Sequence, residues 1–150
     1  MRNPPYLVYE DIPRVDLWLK LMLASILALT MVLGMWLLFE DIVAAIAMFG
    51  ITLFDALLFR AIMPRRYQIY SDRIRIVLGG PFALNIPFHD IAEARPASGG
   101  KAFAYWGLRF ATSTHGVVEI IRRKGLDVVI SPGDRDAFLE RLRHSIDTVQ

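Results

Sequence analysis

The sequence predicts an α+β membrane protein: a two-helix transmembrane hairpin, then a unit of seven short strands closed by a C-terminal helix. Three observations carry that expectation. Leu21 to Phe39 runs nineteen residues without a charge, and Ile42 to Met63 is a second apolar run broken only by Asp55 and Arg60. Beyond Pro64 the hydrophobic pattern switches to a period of two, the signature of half-buried strands. Near the C-terminus Phe138, Leu139, Leu142, Ile146 and Val149 recur at steps of three and four, the stripe of an amphipathic helix. The chain divides accordingly into an N-terminal interfacial segment (1–20), the hairpin (21–63) and a cytoplasmic domain (64–150).

The two apolar runs each match the roughly 20 residues needed to cross a hydrocarbon core. Lacking alternation, they are read as helices, the form that satisfies backbone polar groups in lipid. A secretory signal would carry a shorter apolar core and a small-residue cleavage site, whereas the first run ends in Trp36-Leu37-Leu38-Phe39 and two acids. Arg2, Arg14 and Lys20 precede the first run, Arg60, Arg65 and Arg66 mark the end of the second, and the Glu40-Asp41 turn has no basic residue. Basic residues collect on the cytoplasmic side, so a multi-pass protein of the cell membrane is expected, with both termini cytoplasmic. Asp55 is an acid within a span, which is costly at depth. Folding the hairpin about its turn places Asp55 near Ser25. Two readings stay open: a polar clasp between the helices, or a proton or ion relay.

An apolar share of 55% exceeds the 45–50% usual for soluble domains, and the hairpin accounts for the excess. Residues 1–63 carry a net charge of −2 and residues 64–150 a net +4. A basic cytoplasmic part suits an anionic leaflet, although an ordinary solvated surface explains it equally. The absence of cysteine excludes disulfides, zinc–thiolate sites and thiol nucleophiles.

Ahead of the hairpin, Pro4, Pro5 and Pro13 argue against continuous helix, and Tyr6, Tyr9 and Trp18 suit the headgroup level. An extended lead-in is expected, lying on the membrane or against the domain. After Pro64, strands are expected at Tyr67–Tyr70, Arg73–Leu78 and Phe82–Ile86, with Gly79-Gly80-Pro81 as a break. Ile91–Arg95 follows, then a fifth strand between Ala102 and Ala111, and a last hairpin of Gly116–Arg122 and Leu126–Ile130. Ser131, Pro132 and Asp134 read as N-cap, first helical residue and capping box of the closing helix.

The post-span YQIYSDRIRI, the FALNIPFHDI segment and the closing VVISPGDRDAFLERL give an order of elements that resembles a pleckstrin-homology-like (PH-like) domain. With two preceding spans, the chain resembles the bacterial membrane-anchored PH-domain proteins. That resemblance implies two nearly orthogonal sheets of seven strands, a β-sandwich or barrel capped by a helix, and a scaffold or interaction role rather than chemistry. In eukaryotic relatives basic residues near the first strand-to-strand loop hold phosphoinositides. The loop here is short and carries Asp72, so no headgroup site transfers by motif, but Arg73 and Arg75 alternate on one face and stand as candidate partner- or lipid-contact residues.

Chemistry-bearing motifs are few. His89, His115 and His144 lack metal-ligand spacing, and Ser113 with His115 is not a nucleophile–base pair with an orienting acid. Gly79-Gly80-Pro81 lacks the Lys-Ser/Thr of a phosphate loop, and the basic clusters come without a nucleic-acid recognition motif. No cofactor, no metal, no nucleic acid and no catalysis are therefore expected. The Pro96–Gly107 segment gathers Lys101, Phe103, Tyr105 and Trp106, either core aromatics or a patch that grips a partner or dips into headgroups. The expected partners are membrane lipids and a protein, with homo-oligomerisation open. The rival reading is an anionic-lipid sensor, and a third is a transport or enzyme subunit using Asp55.

Overall fold

The computed structural model describes residues 4–102 and 105–149. Helix α1 (Leu17–Leu37) and helix α2 (Ile42–Ile62) are 21 residues each and pack as a hairpin. At 1.5 Å per residue each is about 31 Å long, and both are long and apolar enough to cross a membrane by length and composition. The turn between them is tight: the Asp41 amide still donates to Leu37 O (2.8 Å). The Asp41 carboxylate then caps α2, accepting from the Val43 (2.9 Å) and Ala44 (3.2 Å) amides. Such a cap satisfies two of the helix's orphan donors. The helices approach closely at Gly34, where a Cβ would lie 2.9 Å from the Phe49 ring.

The chain passes from α2 through Met63 directly into the first of two four-stranded sheets. That sheet is antiparallel, in the order β1 (Leu7–Asp11), β2 (Pro64–Tyr70), β3 (Arg73–Leu78), β4 (Ala83–Pro87). Its alternation works as expected: Ile74 and Ile76 are fully buried, whereas Arg75 is exposed. The second sheet has the order β5 (Ile91–Pro96), β7 (Val118–Arg122), β8 (Val128–Ile130), β6 (Leu108–Phe110), with β6 parallel to β8. Helix α3 (Arg135–Val149) inserts Phe138, Leu139 and Leu142 into a core shared with Tyr67, Ile86, Ile120 and Ile130. Phe138 meets Tyr67 and Tyr9 edge-on, at 6.4 and 6.3 Å between centroids, a favoured aromatic geometry.

Two expectations are corrected. The described strands number eight, not seven, because Leu7–Asp11, in the lead-in expected to run extended on the membrane or against the domain, pairs with β2 in register Glu10↔Gln68. It is an edge strand, paired on one side only, so the prolines flanking it cost no ladder bond. The strand expected somewhere between Ala102 and Ala111 is there, at Leu108–Phe110. Ahead of it, Ala102 and Tyr105 lie on the outer face of the second sheet, where Ala102 packs on Val117 and Val129. Finally, Ser131 is not a helix cap. It is fully buried and its Oγ accepts from the Thr112 amide (2.9 Å), while Pro132 bridges to Pro13. The Asp134 amide is bound by the Asp11 carboxylate (3.0 Å), and its own Oδ1 accepts from the Ala137 amide (3.0 Å). The lead-in thus holds residues 131–134 extended, and capping moves to Asp134.

Candidate functional site

Two polar constellations emerge, each centred on a carboxylate. The first is Asp16, immediately ahead of α1. It stands at the N-cap position, yet its side chain makes no cap bond. It accepts instead from Ser113 Oγ (2.6 Å), the Thr114 amide (2.8 Å), Thr114 Oγ1 (3.1 Å) and Trp18 Nε1 (3.2 Å). The hydrogen bond from Ser113 leads the causes that hold its pKa down at about 2, with those from Thr114 and Trp18 adding to it against the effect of burial. Backbone bonds reinforce the join: the Asp16 amide donates to Thr112 O (3.0 Å), the Arg14 amide to Ser131 O (3.0 Å), and Thr112 Oγ1 to Arg14 O. The entry to α1 is therefore fastened to the loop between β6 and β7.

Asp16 is an acid beside Ser113 and His115, but the arrangement does not activate the serine. The Ser113 proton goes to Asp16, and its oxygen accepts from the His115 amide (3.0 Å). The His115 ring is exposed, with Nδ1 3.2 Å from Thr114 Oγ1 and 3.9 Å from Asp16 Oδ1. The group facing the hydroxyl is the Asp16 carboxylate, and with its pKa held at about 2 it is too weak a base to take the proton from a nucleophile.

Glu119, on β7, is the second centre. Its side chain is 6% exposed and would be costly to bury alone. Arg95 Nε (2.8 Å), Lys101 Nζ (2.7 and 2.8 Å) and the Tyr105 hydroxyl (3.0 Å) all donate to it. Burial pushes the Glu119 pKa up, but the bonds from Lys101, Arg95 and Tyr105 outweigh burial and hold it below the ordinary glutamate value. Tyr105 is raised in turn, by burial first and by the glutamate second. The network pins Lys101 and Tyr105, ahead of β6, onto the outer face of the second sheet.

Lys101 and Tyr105, expected as contacts for a partner or lipid, thus serve an internal carboxylate. Trp106 points away and is 97% exposed; Phe103 lies outside the described residues. Arg73 is held by its neighbour Asp72 through two bonds (2.9 and 2.8 Å). With Arg75, Tyr70, Asn85 and Pro5 it lines a shallow hollow of about 120 Å³. Ser25 donates to Leu21 O (2.5 Å) and Met22 O (3.1 Å) of its own helix, and no hydrogen bond joins it to Asp55. A serine in a helix often satisfies its hydroxyl on the preceding turn in this way. Among the described residues no cluster of three or more His, Asp or Glu side chains would hold a metal.

Glu119 and Asp16 were missed at the sequence level. Glu119 had a signal, a lone acid in Val117-Val118-Glu119-Ile120-Ile121, a run otherwise suited to burial. Asp16 had none, since Ser113 and Thr114 lie 97 and 98 residues away. Comparison with family models, with curated proteins and with solved structures gives no match for this chain.

Proposed function

We propose that this chain is a membrane-anchored, non-catalytic interaction module, whose PH-like unit is held against the cytoplasmic face of the cell membrane for a protein partner. One observation carries the reading: the apolar helices are almost wholly uncovered while their roots are fastened to the sheet unit. Only 6% of the apolar window of each helix is buried inside the fold, an exposure that lipid would relieve. The Asp16 bonds tie down the start of α1, and the Gly79 and Gly80 amides donate to Met63 O (2.8 Å) and Ala61 O (3.3 Å) at the end of α2. The order of elements, two open sheets with a C-terminal helix packed into their shared core, is what the PH-like reading rests on, and among the described residues Trp106 is the aromatic most open to a partner.

Reporter fusions test the arrangement. A fusion after Gln150 should report cytoplasm and one inserted at Glu40–Asp41 the opposite side; an exported C-terminus would refute it. The hollow beside Arg75 favours a second reading, an anionic-lipid sensor. The full chain in nanodiscs decides between the two: Arg75→Ala weakening the capture of soluble phospholipid headgroups would favour the sensor.

A further inference from the structure

The loop between β3 and β4 reads Gly79-Gly80-Pro81-Phe82, and the strands alone do not explain it. Gly79 has no room for a side chain: a Cβ there would run into the Arg60 carbonyl oxygen. Its amide donates to Met63 O and that of Gly80 to Ala61 O, so the loop is docked on the last turn of α2. A Cβ on Gly80 would sit 3.3 Å from Ala61 Cβ and 3.6 Å from the Phe82 ring; ring and helix end flank one point. Phe82 is nevertheless 64% exposed, and Leu58 and Ile62 on α2 are exposed too. A large apolar ring outside the core, fixed beside the end of an uncovered apolar helix, extends that helix's surface outward.

From this placement we infer that the Gly79–Phe82 loop is a membrane wedge: Phe82 enters the headgroup–acyl boundary, and Arg60 and Arg65 meet anionic phospholipid headgroups around it. The inference rests on the proposed membrane anchoring and adds a third point of contact, contributed by the sheet unit itself. Apolar rings bury shallowly at that boundary, and basic residues beside them add attraction to anionic lipid. Arg60 lies in the last turn of α2, and Arg65 Nε comes within 3.3 Å of the space a Gly79 side chain would take. Both arginines are exposed. A glycine at 79 is what the geometry needs, since any side chain there would lever the loop off the helix end, whereas a Cβ at Gly80 would be tight against Ala61.

The test uses single-tryptophan versions of the full chain in nanodiscs containing phosphatidylglycerol. In one, Trp18, Trp36 and Trp106 are replaced by Phe and Phe82→Trp supplies the only indole; in the other, Trp36 alone is kept. Brominated lipid should cause a loss of emission from the Phe82→Trp indole comparable with that from Trp36, and aqueous iodide should cause little. Quenching by iodide but not by bromolipid, with Trp36 still quenched by bromolipid, would overturn the wedge and leave the anchor standing. Protection from both quenchers would also overturn it, since a second copy or another protein would then cover Phe82. Loss of bromolipid quenching at Trp36 as well would overturn the anchoring, and the wedge with it.

Discussion

Asp16 is the sharpest place to perturb this protein, because one carboxylate holds the root of α1 to a loop almost a hundred residues away. Asp16→Asn keeps the size of the side chain but removes its charge and one of its two acceptor oxygens; Asp16→Ala removes all four bonds. A pKa lowered from 3.8 to about 2, at 1.36 kcal/mol per unit, sets a ceiling of about 2.5 kcal/mol. The carboxylate is 19% exposed, so water competes for it and roughly 1–2 kcal/mol is expected for Asp16→Ala. The assay is hydrogen exchange at the Thr114 amide, which donates directly to Asp16. A loss of 1–2 kcal/mol should speed local opening by about 5- to 30-fold. The pH dependence has a fixed sign. The folded pKa lies below the unfolded one, so the contribution is fully present above the unfolded value of 3.8 and is lost as pH falls from there toward 2. The stability gap between wild type and Asp16→Asn should therefore close in that window. Unchanged Thr114 exchange in Asp16→Ala, or a gap that persists at pH 2, would refute the clamp.

Three further outcomes are expected, each in the full chain in detergent micelles. Glu119→Gln should lower stability by about 1–3 kcal/mol through weakened charge-assisted bonds. The contribution of Glu119 is present above its unfolded pKa of 4.5 and lost as pH falls through its lower folded value, so a variant matching wild type at neutral pH would make the network idle. Phe138→Ala empties a fully buried site and should cost about 3–5 kcal/mol, whereas exposed Arg141→Ala should stay within about 0.5 kcal/mol; equal melting shifts would mean the α3 stripe is misassigned. Asp55→Leu breaks no hydrogen bond seen among the described residues, so the melting temperature should hold or rise, and a fall of several degrees would reinstate a polar clasp between the helices.

What the sequence made legible is what neighbours along the chain decide. Arg73–Leu78 was readable residue for residue, because Ile74 and Ile76 face the core and Arg73 and Arg75 face out within a single strand. The α3 stripe was readable for the same reason, through Phe138, Leu139 and Leu142. The cap of α3 was not. Ser131 and Pro132 have the local chemistry of a helix start, but Asp11, Pro13 and Arg14 bind that segment from over a hundred residues away and hold it extended. Likewise Leu7–Asp11 is a strand only because β2 offers it an edge, and Lys101 and Tyr105 turn inward only because Glu119 lies beneath them. Each of these depends on a partner that no local window contains.

The same long-range contacts bear on how the anchor works. A single Met63 separates α2 from β2, and a clamped Asp16 precedes α1, so the sheet unit hangs from the hairpin by two short, hydrogen-bonded connections instead of a flexible tether. A free linker would let the unit sample many orientations, and ordering it on a partner would cost conformational entropy. Two fixed roots remove most of that cost in advance. They also set which surfaces face away from the helix ends, and the β3–β4 loop, bonded to the last turn of α2, is held at the side facing them. If the helices span a membrane, the tilt of the hairpin is also the tilt of the sheets. If a partner binds at the exposed Trp106 face, as proposed, loosening one root through Asp16→Ala should then weaken its capture without altering a single residue of that face. Binding that is indifferent to Asp16→Ala, with the root shown to be loosened by Thr114 exchange, would mean that orientation plays no part.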